Sequence, residues 1–294
     1  MARMHDDELE TDEALVRRLL AAQFPQWAEL PIEALAAGGT DNAIYRLGED
    51  LSVRLPRRND WAAGSLDKEF EWLPKLAPLL TLPVPAPVAR GVADEGYPHA
   101  WSVFTWLEGD DATAAPLDLA HATVDLAELL RAMWRIDPAG APNPGGRGGS
   151  LRPRDESVRA GIAALGELID ATAVTAAWEH ALAAPEWDRA PVWVHGDLDA
   201  RNLLVVGGRI TAVLDWNLIC AGDPACDVKL AWAVLDAETR PVFRELLEID
   251  DATWARARGW AISQAVIALP YYLHTYPVIV EQAWRWLAEA LADS

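Results

Sequence analysis

The sequence has few of the features that mark secreted or membrane-spanning proteins. Its 294 residues include only two cysteines, Cys220 and Cys226. This is too few for a disulfide framework, and their spacing matches no metal motif, so we expect buried, reduced thiols. No apolar run reaches the length of a membrane span. The N-terminus lacks the basic region and the apolar stretch of a signal peptide, so we expect a cytoplasmic location.

Positive charge is also scarce, because 25 lysines and arginines face 45 acidic residues and the net charge is −20. Since like charges repel, we expect neither nucleic acid nor a membrane as a partner. A cationic small molecule would be attracted to such a surface, although an acid excess can also serve solubility alone. The sequence contains no signal for the oligomeric state.

Length and hydrophobic content predict two folded lobes, since 51% of the residues are hydrophobic and disorder is excluded. Strand patterns occupy 32–36, 43–47, 51–55, 88–92, 100–106, 192–194, 203–206 and 210–214. Helical patterns occupy 8–24, 65–80, 117–136, 154–182 (two pieces meeting near Asp170), 224–234, 241–247, 252–269 and 278–291. The composition changes to acidic turn residues after Trp106, so we predict lobes over 1–107 and 108–294.

Residues 194–204 carry the clearest chemistry. This stretch joins two buried strand patterns, so a loop between them would hold Asp197 and Asn202 at fixed positions. The next strand pattern ends at Asp215. Carboxylate and amide oxygens suit Mg²⁺, which keeps waters and substrate phosphates as its other ligands. The spacing of His195, Asp197 and Asn202 matches the catalytic loop of kinases.

On these residues the sequence resembles the aminoglycoside phosphotransferase family, which comprises small-molecule kinases with a protein-kinase-like fold. The resemblance runs from about Leu35 to the C-terminus. It rests on His195-Gly196-Asp197 with Asn202, on Leu214-Asp215-Trp216, and on Gly222-Asp223-Pro224-Ala225-Cys226-Asp227. It implies an α+β, bilobal fold with a small N-terminal antiparallel sheet lobe and a larger, mainly helical C-terminal lobe.

The resemblance also implies roles for the site residues. Asp197 would orient the acceptor hydroxyl and take its proton. Asn202 and Asp215 would hold Mg²⁺ against the phosphates of ATP or GTP. His195 and Asp227 would brace the catalytic loop.

Four residues of the N-terminal lobe are candidates for nucleotide binding. Thr40 belongs to a glycine-containing turn that could approach a phosphate. Arg54 stands where kinases carry a lysine, and Glu69, with Glu71 as an alternative, would pair with it. Trp106 would form one wall of the adenine site. Taken singly, each also suits an ordinary structural position: a turn, a solvent-facing arginine like Arg57, a helical carboxylate or a core tryptophan.

The acceptor expected from the resemblance is an aminoglycoside, and several acidic residues of the second lobe could bind its amines: Glu238, Glu245, Glu248, Asp250, Asp251 and Glu281. A macrolide phosphotransferase and a metabolic sugar or amino-alcohol kinase remain alternatives. So does a catalytically idle nucleotide-binding module. The scattered histidines disfavour a metal hydrolase. Asp199 replaces a histidine common among relatives, and we expect a solvated loop aspartate there. Arg201 would pair with a local carboxylate or neutralise the transferring phosphate.

Overall fold

A computed structural model gives the fold of residues 8–35, 41–57 and 62–293. Thr40 therefore lies outside the described residues. By its internal contacts the chain divides into two units. The N-terminal unit consists of Met1–Pro78 and Pro83–Glu108, and the C-terminal unit consists of Leu79–Leu82 and Gly109–Ser294.

An antiparallel sheet forms the centre of the N-terminal unit. Its strands are β1 (Ile32–Ala34), β2 (Asn42–Leu47), β3 (Leu51–Pro56), β4 (Pro87–Gly91) and β5 (Trp101–Thr105), in the spatial order β1-β2-β3-β5-β4. The side chains of β2 alternate between the two faces, so Ala43, Tyr45 and Leu47 are buried together. The predicted β2–β3 hairpin is confirmed, with Leu47 opposite Leu51.

Two helices accompany this sheet, α1 (Glu13–Gln23) and α2 (Ala62–Leu76). Helix α1 is shorter than predicted, because the Asp12 carboxylate accepts a hydrogen bond from the Leu15 N–H at 2.7 Å and starts the helix there. The neighbouring Thr11 side chain accepts a hydrogen bond from the Tyr45 hydroxyl at 2.9 Å. Helix α2 begins at Ala62, three residues before the start that the sequence pattern 65–80 predicts.

The strands of the C-terminal unit form two small sheets. They are β6 (Asp110–Asp111), β7 (Val192–Val194), β8 (Leu203–Val206), β9 (Arg209–Val213) and β10 (Cys220–Gly222). Strands β6, β8 and β9 form one sheet, and β7 pairs with β10. The sequence analysis missed β6 and β10, since two or three residues without apolar alternation carry no strand signal. Both cysteines are free and buried, as expected.

Helices make up most of the C-terminal unit: α3 (Leu119–Arg135), α4 (Asp155–Leu165), α5 (Ala171–Ala183), α6 (Ala225–Val228), α7 (Leu230–Ala233), α8 (Arg240–Leu247), α9 (Asp251–Tyr272) and α10 (Pro277–Ala292). Helix α9 is central and packs against α4, α5, α6 and α10. The predicted break near Asp170 is confirmed, because its carboxylate caps α5 by accepting from the Ala173 N–H at 3.0 Å. The predicted helix 224–234 is instead two short helices that meet at Lys229.

Within the described ranges, none of the helices combines the length and the apolar character needed to cross a membrane.

Candidate active site

The loop between β7 and β8 is held from inside by His195. This side chain is fully buried, and its Nε2 lies 2.9 Å from the Leu214 carbonyl oxygen. Its Nδ1 accepts a hydrogen bond from the Asp197 N–H at 3.2 Å, so Nε2 carries the proton. Burial lowers the pKa of His195 to about 4 and keeps the imidazole neutral at pH 7. A neutral, doubly hydrogen-bonded ring suits the bracing role expected for it.

The β8–β9 hairpin brings Asn202 and Asp215 to the same end of one ladder. Leu203 lies opposite Val213, and the Leu214 N–H donates to the Asn202 carbonyl at 2.8 Å. The Asn202 amide nitrogen donates to the Asp197 carbonyl at 2.9 Å and so ties the loop to this hairpin. The structure therefore gathers His195, Asp197, Asn202 and the residue before Asp215 into one hydrogen-bonded cluster.

These donors fit a magnesium ion held mainly by nucleotide phosphates. Asn202 and Asp215 each supply oxygen, the ligand atom that Mg²⁺ prefers. Over the residues that the structure describes, no group of three or more His, Cys, Asp or Glu side chains could hold a metal alone. One or two protein oxygens plus substrate phosphates is the usual arrangement for Mg²⁺ in kinases.

Asp227 anchors the start of the loop. Its carboxylate accepts from the His195 N–H at 2.6 Å and from the Gly196 N–H at 2.9 Å. Gly196 has a φ of 90°, and a Cβ there would lie 2.9 Å from the Leu218 carbonyl oxygen, so only glycine fits. Burial raises the pKa of Asp227 to about 6, although both backbone N–H groups oppose the rise. Asp223 instead forms an ion pair with Arg256, whose guanidinium donates two hydrogen bonds to the Asp223 carboxylate at 2.7 and 3.1 Å.

Asp197 lies among positive charges. Arg147 Nη2 is 3.6 Å from its Oδ1, and Arg201 Nη2 is 4.0 Å from its Oδ2. Burial alone would raise the pKa of Asp197, but Lys229, Arg147 and Arg201 outweigh it and the pKa lies below the ordinary value. The carboxylate is therefore ionised at neutral pH and can accept a hydrogen bond from a hydroxyl group.

The expectation of a solvated Asp199 is wrong. Asp199 is fully buried, and its carboxylate accepts from the Arg201 N–H at 2.9 Å and from Arg201 Nη2 at 2.5 Å. The local ion pair expected for Arg201 is thus present. The side chain of Asp199 caps the short 3₁₀ turn 200–202, which places Asn202 at the end of the loop.

The N-terminal unit contains the other candidates. Arg54 Nη1 lies 3.2 Å from Glu69 Oε1, and the guanidinium stacks 4.1 Å from the centre of the Phe104 ring. Of the two partners predicted for Arg54, the structure therefore has Glu69. The alternative, Glu71, pairs with Lys75 on the surface of α2.

Trp106 and Arg57 occupy different kinds of position. The Trp106 ring lies 5.0 Å from the Arg46 guanidinium, and its indole N–H has no partner in the part of the chain that the structure covers. Arg57 is buried and pairs with Glu8 at 3.4 Å, so the expectation of a solvent-facing side chain is wrong.

Sequence reasoning missed two basic residues beside Asp197, Arg147 and Lys229. Arg147 belongs to the loop 138–149, where glycines and prolines gave no reason to single it out. Lys229 could have been noticed, because it stands between Val228 and Leu230 and interrupts an otherwise apolar run. A lysine inside a buried helical pattern requires a buried partner or a function.

Comparison with known proteins gives a family and a fold. The sequence profile of the phosphotransferase enzyme family matches residues 31–260. No curated protein sequence matches the chain. The GDP complex of wild-type aminoglycoside 2'-phosphotransferase-IIIa has a TM-score of 0.70 at 18% identity, over 96% of this chain and 99% of that one. The macrolide 2'-phosphotransferase MphH from Brachybacterium faecium has a TM-score of 0.59 at 22% identity, over 96% and 99%.

A third structure, the GDP and kanamycin complex of APH(2")-IIIa, has a TM-score of 0.70 at 19% identity, over 95% of this chain and 99% of that one. Identities this low establish the fold and leave the acceptor open. The predicted α+β, protein-kinase-like fold, with a small antiparallel sheet lobe and a larger helical lobe, is confirmed.

Proposed function

Because the chain belongs to the phosphotransferase enzyme family and is a small-molecule kinase, we propose that it transfers the γ-phosphate of ATP or GTP to a hydroxyl group, with Mg²⁺. The observation that carries this proposal is the cluster around the catalytic loop. There, an ionised Asp197 is tied through its carbonyl to Asn202, and Asn202 lies at the same hairpin end as Asp215.

The residues of this cluster divide the chemistry between them. Asp197 accepts a hydrogen bond from the acceptor hydroxyl and takes its proton as the new O–P bond forms and the bond from the γ-phosphorus to the bridging oxygen breaks. Asn202 and Asp215 would hold Mg²⁺, which neutralises the phosphate charge when bound. His195 and Asp227 fix the loop through their buried hydrogen bonds. Phosphoryl transfer needs mainly this positioning and charge neutralisation.

The nucleotide contacts belong to the same proposal. Arg54, oriented by Glu69 and Phe104, would grip the phosphates with two parallel hydrogen bonds, which a guanidinium forms readily. Trp106 would stack on the base, and the turn around Thr40 would approach the phosphates through its backbone.

For the acceptor, we propose classes of compound rather than one molecule. Structural neighbours include complexes with kanamycin, streptomycin and gentamicin, and also macrolide 2'-phosphotransferases. An aminoglycoside is therefore the first acceptor to test, followed by macrolides and by sugars or amino alcohols. Phosphorylation of an antibiotic in the cytoplasm would make the protein a resistance enzyme.

Replacement of Asp197 tests the catalytic assignment. Asp197→Asn removes the proton acceptor and should lower acceptor-dependent turnover by about 10²–10⁴-fold. We expect Mg²⁺–nucleotide binding to persist. Release of ADP or GDP, measured with each nucleotide and each acceptor class, checks the first effect, and titration with nucleotide checks the second. Asp188→Asn, at an exposed aspartate of the same unit, is the matched control. Near-normal turnover in the Asp197 variant would overturn the assignment.

Replacement of Asp215 tests the metal assignment. Asp215→Asn removes one negative charge from the proposed Mg²⁺ ligands and should weaken Mg²⁺-dependent nucleotide binding by about tenfold or more. Nucleotide affinity measured with and without Mg²⁺ isolates this effect. Equal loss of affinity with and without the metal would contradict a metal-binding role. Tight nucleotide binding by the wild type without turnover on any acceptor would favour the idle binding module.

A further inference from the structure

The loop 138–149 of the C-terminal unit is fixed along one edge of the small sheet formed by β7 and β10. The Ala221 N–H of β10 donates to the Pro142 carbonyl at 2.9 Å. Further along the loop, the Asp223 N–H donates to the Gly148 carbonyl at 2.8 Å. A segment whose prolines and glycines mark it as irregular therefore has a defined position in the fold.

Arg147 stands between these two anchor points and is itself held on both sides. The preceding carbonyl, that of Gly146, accepts a hydrogen bond from Arg154 Nη1 at 3.1 Å. The Arg147 carbonyl accepts from the Cys220 thiol at 3.6 Å. A Cβ on Gly196 would lie 3.2 Å from the Arg147 Cβ, so the base of the arginine side chain packs directly on the catalytic loop.

The guanidinium of Arg147 lies beside the Asp197 carboxylate without a hydrogen bond to it. Arg147 Nη2 is 3.6 Å from Asp197 Oδ1, which is beyond the ordinary range for an N–H···O bond. Among the described residues, Arg147 pairs with no other carboxylate, and its Nε is buried with no acceptor. The side chain is 23% exposed, so a ligand can reach it. A partly buried guanidinium with unused donors indicates a missing anionic partner.

The other two cations that act on Asp197 are engaged elsewhere. Arg201 Nη2 donates to the Asp199 carboxylate at 2.5 Å, and this pair supports the turn that leads into β8. Lys229 is fully buried, and its ammonium donates to a side-chain amide of α9 at 2.5 Å. Arg147 is therefore the accessible cation at this point whose carboxylate partner, over the described part of the chain, is Asp197 itself.

Asp197 also marks the place where the phosphoryl group would be transferred. The oxygen of an acceptor hydroxyl that donates to Asp197 lies about 2.8 Å from the carboxylate. Attack on phosphorus starts from about 3–3.5 Å. The γ-phosphorus thus comes within about 6 Å of the carboxylate that Arg147 faces at 3.6 Å. Rotation about the side-chain bonds of a partly exposed arginine covers such a gap.

We propose that Arg147 is a catalytic residue that donates hydrogen bonds to the non-bridging oxygens of the γ-phosphoryl group during its transfer. This inference rests on the proposed function. As the acceptor oxygen bonds to phosphorus, the bond to the bridging oxygen breaks, the hydroxyl proton goes to Asp197, and ADP or GDP leaves. Arg147 stays protonated and neutralises charge on the phosphoryl oxygens. In GTPases, an arginine that acts in this way raises kcat by about 10³–10⁵-fold.

Kinetics of Arg147→Gln test the proposal. This variant should lower kcat by about 10²–10³-fold and change KM for the nucleotide and for the acceptor by less than about threefold. Arg147→Lys keeps the charge and loses the planar fork of donors, so it should recover part of kcat. Arg152→Gln, at an exposed arginine that pairs with Glu186 five residues further along, is the matched control. Diphosphate release is measured with the best acceptor, or with water.

Binding of a phosphoryl mimic gives a readout that needs no turnover. The mimic is tetrafluoroaluminate, bound together with Mg²⁺ and ADP or GDP. Arg147→Gln should weaken the binding of this complex by about tenfold or more and leave the affinity for the Mg²⁺–diphosphate alone unchanged, which also shows that the variant is folded. The same loss is expected when Arg147→Gln is added to Asp197→Asn, because Arg147 acts on the phosphoryl group directly.

Three results would overturn the inference. The first is kcat and tetrafluoroaluminate binding in Arg147→Gln within about twofold of the wild type. The second is a loss confined to the acceptor KM, because Arg147 would then bind the acceptor. The third is an effect of Arg147→Gln that disappears in the Asp197→Asn background, since Arg147 would then only position Asp197. A wild-type protein that releases no diphosphate and does not bind the mimic would instead contradict the proposed kinase function.

Discussion

Two ionisable residues beneath the catalytic loop, His195 and Asp227, have pKa values displaced by burial in opposite directions. The pKa of His195 is lowered to about 4, and the pKa of Asp227 is raised to about 6. Both shifts disfavour the charged form of the side chain. The two residues also share a hydrogen bond, because the His195 N–H donates to the Asp227 carboxylate. The stability of the loop therefore depends on pH through two groups that act in opposite senses.

Acidification should destabilise the protein through His195. In the unfolded chain a histidine binds a proton near pH 6.5, but folded His195 does so only near pH 4. Its contribution is complete above pH 6.5 and is lost as the pH falls toward 4, by about 2 kcal/mol at pH 5. Asp227 opposes this, because its folded pKa lies above its unfolded value and the folded state gains a proton between pH 6 and 4.

Comparison of His195→Asn with the wild type isolates the histidine contribution. The free energy of unfolding is measured by urea denaturation at pH 7.5 and at pH 5. The variant should lose about 2 kcal/mol less than the wild type on acidification. His180→Asn, at an exposed histidine of α5, should follow the wild type. Identical pH dependence of His195→Asn and the wild type would show that the buried imidazole does not control acid stability.

At the residue scale, the property hardest to predict was which charged side chains are buried. Asp199 has its partner two residues away in Arg201, whereas Arg57 has its partner in Glu8, 49 residues earlier. The Asp-x-Arg pattern of the first pair was visible in the sequence. The second pair depends on where the N-terminal segment lies, which periodicity does not reveal.

At the scale of elements, the helices and strands that could be predicted are those whose own sequence has a regular hydrophobic pattern. Helix α3 has a broad apolar face, and the β2–β3 hairpin has alternation with a glycine turn, so both were placed within two residues. Strand β10 exists only because it pairs with β7, with Cys220 opposite Val194. The break between α6 and α7 at Lys229 likewise depends on α9 and α10, which supply its buried contacts.

The same distinction applies to the candidate site. The spacing of His195, Asp197 and Asn202 is local, so the loop was readable from the sequence. The pairing of Arg54 with Glu69 followed from the family resemblance and is present in the structure. The basic residues that act on Asp197 come from the loop 138–149, the catalytic loop and the α6–α7 junction. Residues so far apart in sequence meet only through tertiary packing, which no single-sequence pattern encodes.

At the scale of the whole molecule, each of the two units has a buried interior of its own. In the N-terminal unit, Leu19 of α1 belongs to the same buried hydrophobic cluster as Tyr45 and Val53 of the sheet. In the C-terminal unit, α4 crosses α9 so closely that a Cβ on Gly161 would lie 2.3 Å from the Val266 carbonyl oxygen. Separate hydrophobic interiors are the physical basis for expecting the lobes 1–107 and 108–294 to behave as distinct domains.

Differential scanning calorimetry of two variants tests this expectation. Leu19→Ala leaves a cavity in the N-terminal unit and should cost about 2–5 kcal/mol. Gly161→Ala should destabilise the C-terminal unit by a backbone clash, although helix propensity alone would stabilise it by about 1 kcal/mol. If the lobes are distinct domains, each variant lowers a different thermal transition and leaves the other in place. A single transition that both variants shift by similar amounts would show that the 294 residues unfold as one cooperative unit.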